Sequence, residues 1–168
     1  MAITYHSEYL KLQSVFITPV KHAFVSDNRI NQQWKALNYL ARPNLTNAFE
    51  EYEAFQTYLS QKNIQLLNFP LDSQVQIDSI YCRDASIATN FGMIICNMGK
   101  EGRSLEPQLH KQTYENCDIP ILGKIESPGT IEGGDVAWLD EFTLAVGHTY
   151  RTNLEGIRQI KALLEPKG

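Results

Sequence analysis

Thr130-Ile131-Glu132-Gly133-Gly134-Asp135-Val136-Ala137-Trp138-Leu139 sets two carboxylates around a glycine pair, directly ahead of an apolar run. Ile131 on one side, and Val136 through Leu139 on the other, read as buried strand flanking a polar cluster. A carboxylate inside such a segment is desolvated. It needs a cation, several backbone N–H groups or a bound ligand to offset that cost. The glycines remove side chains where another group approaches the backbone, or where φ is positive. Two readings stand at this point: a glycine-rich bulge with exposed acids, and a buried acidic site.

Downstream of the motif, Phe142–Val146 has the pattern of a strand returning across an Asp140-Glu141 turn. A helix is then expected from Thr152, where Thr-x-x-Glu to Glu155 has capping-box spacing. Leu154, Ile157, Ile160 and Leu164 would form its apolar face. Upstream the pattern is similar. Ile87-Ala88-Thr89 and Met93–Cys96 flank a turn at Asn90-Phe91-Gly92, and a helix over Leu105–Asn116 leads to a short strand at Ile119–Leu122. Both stretches run acid, hairpin, arginine, helix. Asp84 and Arg103 bracket the first, Asp135 and Arg151 the second, at similar separations. A repeated β-β-α-β unit of this kind points to a radial or stacked architecture.

Nearer the N-terminus, Ser14–Ile17 and Ile64–Phe69 read as strands, with a further short strand at Ile80–Cys82. Between the first two, Asn47–Gln61 has helical periodicity. Ala48, Phe49, Tyr52, Phe55 and Leu59 share one face of that helix and are expected to be core, with Glu50, Glu51, Glu53 and Gln56 opposite.

The 168 residues suffice for one domain with a real core, and the net charge of −4 with scattered basic residues argues against a nucleic-acid-binding face. No apolar run approaches membrane-spanning length, and Met1–Leu10 lacks the apolar stretch of a signal peptide. Three cysteines (Cys82, Cys96, Cys117) without metal-ligand spacing read as reduced thiols of a cytoplasmic protein. His6, His22, His110 and His148 are too far apart in sequence for a zinc motif.

Paired acids and paired arginines near strand ends suit a small zwitterionic ligand. Arginine grips a carboxylate bidentately, and carboxylates grip a planar cation such as a guanidinium. The same residues could instead pair internally, Asp84 with Arg103 and Asp135 with Arg151, as structural salt bridges.

Four elements occur in order: Asp78-Ser79-Ile80-Tyr81-Cys82-Arg83-Asp84, then Gly102-Arg103-x-x-Glu106, then Ile131-Glu132-Gly133-Gly134-Asp135-Val136, then Gly147-x-x-x-Arg151-Thr152-Asn153-x-Glu155-Gly156-Ile157. Together they resemble the guanidino-group-modifying (pentein) superfamily: dimethylarginine dimethylaminohydrolase, arginine deiminase and the amidinotransferases. The resemblance implies an α/β propeller of ββαβ modules. Residues 1–168 would form a single partial domain, its N-terminal part, with about three of the family's five blades. By resemblance, Asp84 holds the substrate guanidinium and Glu132 positions the catalytic histidine, the two acting as catalytic residues. Asp78 and Tyr81 match positions lining the amino-acid end of the substrate, Arg103 and Arg151 match arginines near its carboxylate, and Asp135 looks like a structural acid.

The implied chemistry is covalent and needs no cofactor or metal. A cysteine thiolate attacks the guanidinium carbon, an amine leaves after protonation by the histidine, and water or an acceptor amine resolves the thiouronium. In the family that histidine and cysteine lie in later segments, and neither His148 nor any of the three cysteines matches them. The chain is therefore expected to be inactive alone, with Pro166-Lys167-Gly168 resembling a turn toward a further strand. Open sheet edges would be covered by a homo-oligomer or a missing C-terminal half. Arg83 stands where dimethylargininases often carry an acid, as in the deiminase and amidinotransferase branches. The expected partner is a guanidino compound, an arginine derivative, and neither nucleic acid nor membrane. The resemblance implies a dimethylargininase- or deiminase-like hydrolase; the alternatives are an amidinotransferase and, because the same fold also serves as a ribosome-binding factor, a non-catalytic binding or assembly module.

Overall fold

The computed structural model describes residues 7–167, so His6 and Gly168 lie outside the described residues. The chain divides into two compact units. One comprises Leu12–Cys82; the other comprises residues 7–11 and 83–167 of the described chain.

In the Leu12–Cys82 unit, β1 (Ser14–Ile17) pairs in parallel with β2 (Gln65–Asn68), and Phe16 lies opposite Leu67. The connection runs through α1 (Val20–Ala23), α2 (Asp27–Gln33) and α3 (Leu45–Gln61). Its core gathers Val20, Ala23, Phe24, Ile30, Leu37 and Ile77, with Leu45, Ala48 and Tyr52 of α3 packed against it. The helix starts earlier than its sequence suggests. Asn44 is the N-cap, its side chain accepting from Asn47 N at 2.9 Å. The aromatic stripe is only partly core, because Phe49 and Phe55 stay exposed while Leu59 is buried. The strand expected at Ile80–Cys82 does not form. The segment coils into 3₁₀ turns, Ile77–Ile80 and Cys82–Ala85. A short apolar run does not by itself separate strand from helical turn. Here the backbone closes locally, Tyr81 N donating to Asp78 O at 2.9 Å.

In the second unit, β3 (Ser86–Thr89) and β4 (Gly92–Ile95) form the expected hairpin, with Gly92 at φ 124° in its turn. After α4 (Glu106–Asn116), β5 (Ile121–Lys124) adds in parallel to β4, completing a ββαβ module. A second antiparallel ribbon follows, β6 (Val136–Trp138) with β7 (Leu144–Val146), and then α5 (Leu154–Leu164). Among the described residues β7 pairs only with β6, and no sheet closes on itself. Ala85, Ile87, Ile94, Cys96, Met98, Ile125, Ile131, Val136 and Ile160 make one core, joining both modules. The cap of α5 is Asn153, not Thr152: its Oδ1 accepts from Gly156 N at 2.8 Å and from Thr130 N at 3.1 Å. Glu155 instead binds Arg158, and Leu154 stays exposed. No helix is long and apolar enough to cross a membrane among the described residues.

Candidate functional site

Glu132 is extended (φ −118°, ψ 137°), Gly133–Asp135 makes one 3₁₀ turn, and β6 begins at Val136. The glycine pair is there for close approach; neither residue has positive φ. A Cβ on Gly133 would drive into the carbonyl oxygen of Arg83 and stand 2.9 Å from that of Ser86. A Cβ on Gly134 would meet Asp84 Oδ1 at 2.5 Å. The Glu-Gly-Gly-Asp turn is thus packed onto the residues that carry Asp84, and acids from two successive modules reach one pocket. Its volume is about 260 Å³. Asp84, Glu132 and Asp135 line it together with Arg151, Thr149, Tyr150 and Gly134.

Each acid has its own restraint. Asp84 Oδ2 is paired with Arg103 Nη1. Arg103 in turn sits bidentately on Glu106, Nε to Oε1 at 2.9 Å and Nη2 to Oε2 at 2.7 Å, and both residues are buried. Burial opposes the guanidinium's charge, but Glu106 and then Asp84 outweigh it, so its pKa lies above the ordinary arginine value. Glu132, also buried, takes Arg151 Nη1 at 3.0 and 2.8 Å on its two oxygens and Lys100 N at 3.1 Å. Burial works against the Arg151 charge as well, and Glu132 reverses it to a net upward shift. The Arg151 guanidinium lies over the Tyr150 ring, 5.0 Å from its centroid.

The internal pairing Asp84–Arg103 is present, and the pairing Asp135–Arg151 is not. Asp135 Oδ2 accepts from the hydroxyls of Thr149 (2.8 Å) and Thr152 (2.6 Å), while Thr152 Oγ1 also takes Glu132 N–H at 3.1 Å. With Asp135 occupied by hydroxyls, Arg151 turns to Glu132.

Of the residues singled out from sequence, Asp84, Glu132 and Arg151 line the pocket, and Arg103 stands behind Asp84 without lining it. Asp78 and Tyr81 belong to the other unit. Asp78 is buried in the Ile77–Ile80 turn; Tyr81 is exposed, its ring 6.5 Å from that of Tyr39. Burial, then the Asp78 charge, raises the Tyr39 phenol pKa. Arg83 pairs with Glu8 and donates to Val136 O at 2.7 Å, outside the pocket lining. Cys96 is buried, and burial, then Asp84 and Glu132, push its thiol far up, away from thiolate character. Cys82 Sγ donates to Phe16 O at 3.5 Å, and Cys117 is exposed. His148 is exposed. His110 is buried with Nδ1 3.0 Å from Ser86 Oγ; burial, then the Arg103 charge, lowers its pKa to about 3. Glu106, which the motif names without a role, is the second acceptor that a buried arginine requires, three residues on. Tyr150 and the hydroxyls of Thr149 and Thr152 carried no such signal. Among the described residues no three His, Cys, Asp or Glu side chains gather as a metal site. Chemically, the pocket offers oriented carboxylates to a planar cation and one guanidinium to an anion.

A family model described as arginine deiminase matches residues 78–167. Over 131 residues the chain is 30% identical to the N(G),N(G)-dimethylarginine dimethylaminohydrolase of Pseudomonas aeruginosa, covering 78% of this chain and 51% of that protein. The chain spans about half the length of the curated relatives it matches. Its fold is similar to that of a solved dimethylarginine dimethylaminohydrolase variant in adduct with S-methyl-L-thiocitrulline. The TM-score is 0.75 at 25% identity, over 93% of this chain and 58% of that one. An amidinotransferase of Microseira wollei from a saxitoxin biosynthetic pathway shares the fold alone, with TM-score 0.70 at 14% identity over 98% of this chain and 60% of that one.

Proposed function

This chain belongs to the arginine deiminase family of the guanidino-group-modifying (pentein) superfamily, and we propose that its Asp84–Glu132 pocket holds the guanidinium of an arginine derivative for hydrolysis. The observation that carries this reading is the convergence of Asp84 and Glu132, from successive modules, on one small cavity. Asp84 receives the planar cation on the side not taken by Arg103. Glu132 orients the imidazole that serves as acid and base, and Arg151 faces the substrate's carboxylate.

In the reaction, a thiolate adds to the guanidinium carbon and forms a C–S bond. The histidine protonates the departing amine, and water attacks the thiouronium to release the ureido product and the thiolate. Holding the guanidinium charged keeps its carbon electrophilic and fixes its plane for attack. None of the three thiols of this chain is disposed for that step: Cys96 is buried and protonated, Cys82 points to the Phe16 carbonyl, and Cys117 lies outside the pocket lining. The 168-residue chain alone therefore binds without turnover. In the same reading its modules count as about three blades of a five-bladed propeller. The open edge of β7, beside a groove lined by Phe142, Leu144, Ile157 and Leu164, would be covered by further blades or a second copy.

The test is calorimetric titration of the purified chain with agmatine, arginine and methylarginines, alongside an assay for ureido product and ammonia. Binding that Asp84→Asn weakens about tenfold or more, with no product, is expected. Absence of binding to all three would overturn the site. Turnover abolished by thiol alkylation would overturn the inactivity.

A further inference from the structure

The residues matched to a substrate carboxylate are not equivalent in the structure. Arg151 lines the pocket and is partly open to it; Arg103 is buried, absent from the pocket wall, and commits Nε and Nη2 to Glu106 and Nη1 to Asp84. We infer that Arg103 and Glu106 form a brace that positions Asp84 and do not themselves contact the ligand, which makes Glu106 a positioning residue for guanidinium binding. The inference rests on the proposed pocket and assigns the work within it.

An aspartate on a tight 3₁₀ turn has rotamers that point its carboxylate in different directions, and only some present it to the pocket. One oxygen of Asp84 is fixed by Arg103, and the other lies over Gly134, where nothing larger than hydrogen fits. Arg103 can fix it only if its own planar fork is held, and two parallel bonds to Glu106 from the first turn of α4 hold it. A buried arginine bonded to Asp84 alone would leave two N–H edges to desolvate without a partner, so the brace needs the second acid. His110, one turn further along α4, is buried, and burial and then the Arg103 charge disfavour its protonated form. Specificity then divides between the arginines. Arg151 acts on the carboxylate end of a ligand, and the Arg103–Glu106 pair acts, through Asp84, on the guanidinium end.

The test compares agmatine, which has no carboxylate, with L-arginine, on the 168-residue chain. Arg151→Ala weakens arginine by more than agmatine. Glu106→Gln weakens both by the same factor, about tenfold. Because removing one member of a buried ion pair can unfold the chain, the deciding variant is Arg103→Met/Glu106→Leu, which removes the two fully buried charges together and leaves only the partly exposed Asp84 without its partner. If the pair only supports the fold, this variant binds agmatine as tightly as the parent whatever its stability, and the inference is overturned. If the pair positions Asp84, the variant stays folded and loses about tenfold in affinity for both ligands. Should the parent chain bind neither ligand, the proposed pocket fails by itself. The brace is then judged by the χ1 couplings of Asp84 in NMR, which report one rotamer in the parent and averaging in the double variant. Averaging in both, or in neither, overturns the brace.

Discussion

Gly133 and Gly134 are neighbours in sequence, yet alanine at each should fail in a different way. At position 133 the added Cβ enters the carbonyl oxygen of Arg83 and comes within 2.9 Å of Ser86 O and 3.3 Å of Arg83 C, all backbone atoms at the foot of β3. Backbone cannot swing aside, so the turn must lift off β3 or strand β3 must move. Forcing a methyl into such a contact costs about 1–3 kcal/mol, and the contacts given place Gly133→Ala at the upper end. At position 134 the Cβ meets only Asp84 Oδ1, at 2.5 Å, the tip of a side chain that can rotate. Turning that carboxylate off its rotamer costs roughly 0.5–1.5 kcal/mol. The lower chain entropy of alanine over glycine in the unfolded state returns about 0.4–1 kcal/mol. Gly134→Ala is therefore nearly neutral for stability but displaces the very carboxylate proposed to receive the guanidinium. The assay pairs urea denaturation with agmatine titration. Gly133→Ala should lower the urea midpoint by about 1 M, taking a slope of 1–3 kcal/mol/M. Gly134→Ala should leave the midpoint within error and weaken agmatine about tenfold. Unchanged midpoints for both, or a Gly134→Ala variant that binds like the parent, would refute the packing of this turn against Asp84.

Three further outcomes are expected. Native iodoacetamide labelling at pH 8, read by peptide mass spectrometry, should modify Cys117 and leave Cys96 untouched, because burial and the Asp84 and Glu132 charges keep the Cys96 thiol protonated; labelling of Cys96 at a comparable rate contradicts this. His110 stays neutral in the folded chain down to about pH 3, whereas the unfolded imidazole titrates near 6.5. The unfolded state thus binds the extra proton between those values, and stability falls as pH drops through that window. His110→Gln should flatten the fall in urea midpoint between pH 7 and pH 4, and an identical slope counts against a buried neutral imidazole. Asn153→Ala removes the cap of α5 and the acceptor for Thr130 N, so it should cost about 1–2 kcal/mol; a thermal midpoint within a degree of the parent would show the cap to be idle.

How far these features could be read beforehand depended on which interaction set them. The β3–β4 hairpin follows from two apolar runs about a glycine turn, and the β6–β7 ribbon from two apolar runs about Asp140-Glu141, all visible along the chain. Ile80–Cys82 misled because three residues of apolar character fit either period, and neighbouring 3₁₀ bonds decide the matter locally. The caps shifted for a related reason. Asn44 and Asn153 compete with Asn47 and Thr152 for the same role, and Thr152 is drawn away by Asp135. That same hydroxyl explains the exchange of ion-pair partners at the site. Counting charges matches Arg151 with Asp135, but threonine donors satisfy Asp135 and leave Glu132 as the acceptor. Similarity of charge was legible; the neutral hydroxyls that redistribute it were not.

The fastening of Asp135 has one more consequence. Thr149 and Thr152 are tied to it on either side of Tyr150 and Arg151, so the arm that completes the pocket is anchored at both ends by the chain's own bonds. A ligand that enters has few torsions left to freeze there. Its association should carry a small entropic penalty and a rate set by encounter, with no slow closing step, and loosening either threonine should show first as a slower arrival.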